Sequence, residues 1–312
     1  MRLSGIILFA GLCGALGTQA SVTTNATQDL VFKDLTAALT YTIPAGETAT
    51  FRRIVTSGEK TVTITGGEGS RLALFGGGSV APIQNDATDY SVVAFDIKVP
   101  VDLTADGGVQ LGYVGGVTFR QPVTLANATE TLALRRKKGT GLKFTSANCV
   151  ADLSVAGSVE IGYPGQDFTG LNLAVASSAS LALPSTVIAK GSQLSADNSA
   201  TIVIDGDLTA PDPTYLQNGK TVYSVLKLSK NAAITCRRLV ESRTDGLRAF
   251  IDSGTFTATE GIEIHSLSDT PFKVGTATVR TPDFNTRGSQ YVAVTNVLTP
   301  GATPVRIGVT HV

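Results

Sequence analysis

The stretch VQLGYVGGVTF at residues 109–119 returns, with changes, as VEIGYPGQDF at residues 159–168, and TLALRR from Thr131 is echoed by SLALPS from Ser180. Both offsets are about 49 to 50 residues, which reads as two turns of a coil of about 24 or 25. Around these stretches apolar residues recur with period two, as in Val93/Phe95/Ile97, Val117/Phe119, Leu142/Phe144, Leu171/Leu173/Val175, Ile202/Ile204 and Ile262/Ile264. Such alternation marks strands with one buried face. Gly, Asn, Asp, Ser and Pro punctuate the bursts too closely for intervening helices, so the chain is all-β.

Three short strands per turn, stacked turn on turn, make a parallel β-helix, or β-solenoid. Its repeats cannot bury their apolar faces singly, and stacking supplies the missing partner. The competing arrangement is a tandem β-sandwich, whose strands are commonly joined by tight hairpins. Hairpin signals fall only at Asp106-Gly107, Asp205-Gly206, Asn218-Gly219 and Asp245-Gly246, too few for the strands on offer. The solenoid is therefore preferred and the sandwich kept as the alternative.

Composition narrows the partners. Lys plus Arg and Asp plus Glu number 25 each in 312 residues, so there is no basic excess for a phosphate backbone, and nucleic acid is not an expected partner. Charged residues make up only 16%, and there are no Trp and two His. The first residues, Met1 and Arg2, precede an apolar run at 3–17 that closes on small Ala20, so residues 1–20 read as a cleavable signal peptide. The run is shorter than the roughly 20 residues a bilayer span needs, and no later segment is long and apolar enough. No membrane span is expected after signal removal, and the expected location is secreted or cell surface. The remainder divides into an N-terminal cap at 21–45, a solenoid at 46–213 and a C-terminal β segment at 214–312, with continuation of the solenoid into that segment kept as the alternative. The division is placed at the proline-rich 209–213, TAPDP.

Export leaves Cys149 and Cys236, a pair that permits one disulfide without requiring it, the other reading being two separate buried thiols.

GYPGQDFTGLNLAVASSASLALP at residues 162–184 resembles the strand repeats of bacterial autotransporter passenger domains, and DGDLTAPDPTYLQNGKTVYSVLKLS at 205–229 is similar to the closing part of such passengers. The resemblance covers about residues 60–265. It implies a right-handed parallel β-helix, exported and surface-associated. A membrane barrel with aromatic girdles, which would complete an autotransporter, is not seen before Val312.

Pectin-lyase-like enzymes share that fold, so catalysis needs candidates. Glycosidase chemistry takes two facing carboxylates, and the close pairs are Asp205/Asp207, Asp102/Asp106 and Asp86/Asp89, of which the first is the leading one. Asp beside Gly is also turn chemistry. Arg280-Thr-Pro282 begins like the Arg-x-Pro-x-x-Arg pattern of pectate lyases, but Asn285 stands where the second Arg belongs and the next is Arg287. The histidines, His265 and His311, form no pectin-hydrolase signature. Arg135, Arg136, Lys137 and Lys138 form a cationic run able to meet an acidic glycan, or a solvated loop between coils. GGEGSRLAL at 66–74 is similar to a calcium β-roll repeat with Arg71 in the ligand position. Neither a metal nor a cofactor is expected. Asn25-Ala-Thr27 and Asn127-Ala-Thr129 fit the glycosylation pattern.

The expected function is a non-catalytic β-solenoid with a structural, adhesive or surface-scaffold role, binding a glycan or a surface protein. The alternative is a secreted polysaccharide lyase or glycoside hydrolase using Asp205, Asp207 and Arg280. Assembly into oligomers through open solenoid ends is a third possibility.

Overall fold

Inward residues on a strand must find a neighbour with the same periodicity, and in this chain that neighbour is the next coil. The computed structural model describes residues 25–35, 37–58, 60–75, 83–85, 94–104, 111–112, 116–126, 131–134, 141–162, 170–211, 215–217, 220–242, 246–265 and 272–286. Residues 1–20, Asp86, Asp89, Asp106, the Asn127 acceptor motif, the 135–138 cationic run, Arg287 and His311 lie outside them.

Among the described residues there is no helix, and the strands form a 16-stranded sheet, a 10-stranded sheet and a two-stranded hairpin. Every pairing in the two large sheets is parallel, whereas the hairpin Tyr215–Gln217/Lys220–Val222 is antiparallel. This is a β-solenoid. A tandem sandwich is excluded, because that architecture is built from antiparallel strands.

One coil illustrates the plan. Gly141–Thr145 lies in the narrow sheet, and Val150–Asp152 and Ser158–Ile161 lie on two successive stretches of the wide one. The next coil repeats this, with Leu142 opposite Leu173, Val150 opposite Ser180 and Val159 opposite Thr186. In the later coils the two wide-sheet strands fuse into single long ones, Ser180–Ile188, Thr201–Ala210, Ala233–Glu241 and Thr255–Ile264. The wide sheet runs across 209–213, since Thr201–Ala210 pairs with Ala233–Glu241.

The core is a set of columns. In the narrow sheet Ile97, Phe119, Phe144, Val175, Ala196, Leu228, Ile251 and Val274 stand in register one above another, all buried. Phe119 and Phe144 stack with centroids 5.3 Å apart. Burying such side chains is worth roughly 1.5–3 kcal/mol each, and stacking neighbours collects that gain coil by coil.

The corner from the narrow to the wide sheet has its own chemistry. Ser177-Ser178, Asn198-Ser199 and Lys230-Asn231 all take left-handed backbone angles, a conformation costly for most side chains, tolerated by asparagine and taken here by serines and Lys230 as well. The following Ala179, Ala200 and Ala232 each donate N–H back to the carbonyl of Ala176, Asp197 and Ser229. These alanines are buried, and each starts the next inward column.

The internal echo is only partly a structural equivalence. Thr131–Leu134 pairs with Ser158–Ile161, which pairs with Thr186–Ile188, whereas Ser180–Ala182 pairs with Val150–Asp152. TLAL and SLAL thus sit on different stretches of the wide sheet, because both stretches demand only alternation. Coil length also varies: side-chain partners on adjacent coils are 21 positions apart at Asn172/Gln193 and 33 at Asp197/Lys230. The hairpin at Tyr215–Gln217 and Lys220–Val222 is one of the insertions that stretch a coil.

Candidate functional site

Where the long strands Ala233–Glu241 and Thr255–Ile264 bend, two consecutive residues face outward, and this corner collects charge. On Ala233–Glu241, Ile234 and Cys236 point in, Arg237 and Arg238 point out, and Leu239 points in again. One coil earlier, Asp205-Gly206-Asp207 makes the same bend with an extra residue, as the register slips between Pro184 and Thr186 on one side and between Val203 and Leu208 on the other. Gly206 takes φ +148°, and a Cβ there would meet the Ser185 hydroxyl, so the bend requires glycine.

The leading acid pair stands there. Arg237 donates to Asp207 Oδ1 at 2.9 Å and Arg238 donates to Asp207 Oδ2 at 2.8 Å, while Glu260 of the following coil lies 3.7 Å from Arg237. Hydrogen bonds from Arg237 and then Arg238 outweigh burial and hold the Asp207 carboxyl down to about 2. Asp205 is exposed beside it. Arg280 is not brought to this pair. It ends the strand Thr278–Arg280, opposite Thr257, which is opposite Thr235 and then Val203, about 14 Å away at strand spacing.

Other acids are similarly tied to the neighbouring coil. Asp29 receives Arg52 at 2.7 Å and Arg53 at 3.0 Å; burial pushes its carboxyl up, but the two arginines win and leave it below the usual value. Asp102, from another close pair in the sequence, receives Arg71 at 2.9 Å and Thr124 at 2.6 Å, and the Arg71 hydrogen bond lowers it. Arg71, in the calcium-roll ligand position, is thus an ion-pair partner. Arg120 meets Asp96 and Lys230 meets Asp197.

Glu241 is the acid that the sequence reading missed. It is fully buried at the end of Ala233–Glu241, accepting N–H from Leu247 at 2.9 Å and from His265 at 2.8 Å. Burial raises its carboxyl, and these backbone donors offset part of that. It ties the start of the narrow-sheet strand Leu247–Ile251 to the end of the wide-sheet strand Thr255–Ile264, where the chain passes from the wide sheet to the narrow one. Alternation was the available signal: with Leu239 inward, Glu241 must be inward too. His265 also contacts Glu263 at 2.9 Å.

Cys149 and Cys236 are both buried free thiols. Cys149 precedes a strand separated from that of Cys236 by two others, about 14 Å in all, beyond the 4.4–6.8 Å Cα spacing of a disulfide. Burial pushes Cys149 up to about 11 and Cys236 up to about 12, the latter helped by the Asp207 charge, so neither is nucleophilic at neutral pH. Among the described residues no group of three or more His, Cys, Asp and Glu converges as a metal site, and no helix is long and apolar enough to cross a membrane. The geometry amounts to ion-paired corners that join successive coils, and in comparison with known proteins the chain matches no family model, no curated protein and no solved structure.

Proposed function

We propose that this chain is an exported, non-catalytic scaffold or adhesive module whose sheet faces hold a glycan or another protein at a surface. The observation that carries this reading is the fate of the acids: Asp29, Asp102 and Asp207 are each gripped by arginine from an adjacent coil and kept ionised. Glycoside hydrolysis needs an acid whose pKa is raised so that it can donate a proton to the leaving group. The described acid that is raised, Glu241, is sealed inside and engaged by backbone amides. Charge at the corners therefore fastens coil to coil. The export signal at residues 1–20 and the resemblance to autotransporter passengers supply the surface context.

The test incubates the full chain with neutral and acidic polysaccharides, with and without Ca²⁺, and follows polymer length by size-exclusion chromatography. Unchanged length is expected. Shortened polymer, lost on Asp205→Asn/Asp207→Asn substitution, overturns the reading in favour of the hydrolase.

A further inference from the structure

The outer surface of the narrow sheet changes character along its length. Following the register, one outward column reads Thr63, Asp96, Thr118, Lys143, Ala174, Ser195, Lys227, Phe250 and Lys273. In the last coils a ring therefore stands between two lysines. The Lys227 ammonium lies 6.0 Å from the centre of the Phe250 ring. In the neighbouring column Val225 is opposite Arg248, whose guanidinium stacks on Tyr223 at 4.8 Å. Phe250 and Tyr223 are each only partly buried, so some aromatic surface is kept on this face. Among the described residues at this end, Asp197 is held by Lys230 at the corner and Asp252 follows the strand Leu247–Ile251.

We propose that Lys227, Phe250 and Lys273, with Tyr223 and Arg248 beside them, form a binding strip for a carboxylated polysaccharide, a polymer of uronic acid residues. The inference rests on the scaffold reading above, in which the polymer is held and not cut. An aromatic face stacks on the C–H side of a sugar ring, and the flanking ammonium groups meet its carboxylates by point charge. Lys227 and Lys273 are two strand spacings apart, about 9.5 Å, so a polymer lying along the solenoid axis meets cation, ring and cation in turn. The protein as a whole has zero net charge, so attraction of a polyanion must be local to such a strip.

The experiment titrates the full chain with polygalacturonate oligomers by calorimetry, at two salt concentrations, alongside neutral glucan oligomers, a sulfated polysaccharide and single-stranded DNA. The uronate is expected to bind, more weakly at high salt, and in preference to the other three. Lys227→Glu/Lys273→Glu should weaken binding at least about tenfold, roughly 1.4 kcal/mol, and flatten the salt dependence. Phe250→Ser should weaken it while leaving the salt dependence in place, and Lys143→Glu, in the same column away from the rings, should change nothing. Thermal melts of the variants identify any that are misfolded, and Lys227→Gln/Lys273→Gln then stands in for the charge reversal. No uronate binding, equal binding of DNA or the sulfated polymer, or an equal effect of Lys143→Glu overturns the strip. Those results leave the scaffold reading intact, which falls on polymer cleavage alone.

Discussion

The bend at Arg52-Arg53 and the bend at Arg237-Arg238 are the same device at opposite ends of the solenoid. The sequences are FRRIV at 51–55 and CRRLV at 236–240, and in each an aspartate from the preceding coil accepts both arginines. The aspartates are equally sheltered, Asp29 with 16% of its side chain exposed and Asp207 with 17%, but Arg53 is 19% exposed and Arg238 47%. The interior differs too, since Phe51 fills the first bend and the smaller Cys236 the second. Burial is the leading influence at Asp29 and opposes ionisation, although the arginines still hold its carboxyl below the usual value, whereas at Asp207 hydrogen bonding leads and holds the carboxyl down to about 2. A depressed pKa therefore does not rank the two by stability: solvent screens the outer clamp, whereas breaking the inner one strands a sheltered arginine.

The largest effect is expected from the filling behind the first bend. Phe51→Ala should cost about 3–5 kcal/mol in the coils around it, against a much smaller loss for Cys236→Ala, read as local amide exchange because a solenoid opens coil by coil. Similar losses at both bends would mean that the clamps, and not their interiors, set local stability.

Next comes the glycine of the Asp205-Gly206-Asp207 bend, one coil before the second clamp's arginines. Gly206→Ala should destabilise by about 1–3 kcal/mol through strain at φ +148°, measured by thermal melting. A neutral result would show that the extra residue at 205–207 relaxes freely. Removing the carboxylates separates the clamps themselves: Asp29→Ala should lower stability by about 1–2 kcal/mol and Asp207→Ala by less. The reverse order would break the burial argument.

The smallest effect is in acid. Asp207 has its folded pKa depressed from 3.8 to about 2, so the stability it adds is fully present above about pH 4 and is lost as pH falls through 2. In Arg237→Gln/Arg238→Gln the Asp207 resonance should titrate near its ordinary value, followed by carbon-detected NMR. An unchanged midpoint would mean that the arginines do not hold it.

Much of this was legible in the residues. Alternation at Leu142/Phe144, Leu173/Val175 and Ile202/Ile204 gave the strands, and the scarcity of Asn-Gly and Asp-Gly pointed to parallel stacking. The corners were less legible. Ser177-Ser178-Ala179, Asn198-Ser199-Ala200 and Lys230-Asn231-Ala232 share a pattern of two small or polar residues before alanine, but it recurs at uneven intervals that a search for a fixed coil of 24 or 25 passes over. In the sequence Arg237 and Arg238 are simply adjacent charges, with nothing in a period-two pattern to mark two outward positions in succession, and Glu241 was hidden by its own polarity.

Taken alone, the sequence determined that this chain is all-β, that its strands bury one face and that they stack into a coil, since period two and turn chemistry are local properties carried by neighbouring residues. Only the tertiary structure decided which residues meet across coils. It sent Asp207 to two arginines and not to a facing acid, kept Cys149 and Cys236 apart, and lined up Lys227, Phe250 and Lys273. Those meetings depend on the length of every intervening coil, and one inserted residue moves a partner to the next position along the strand.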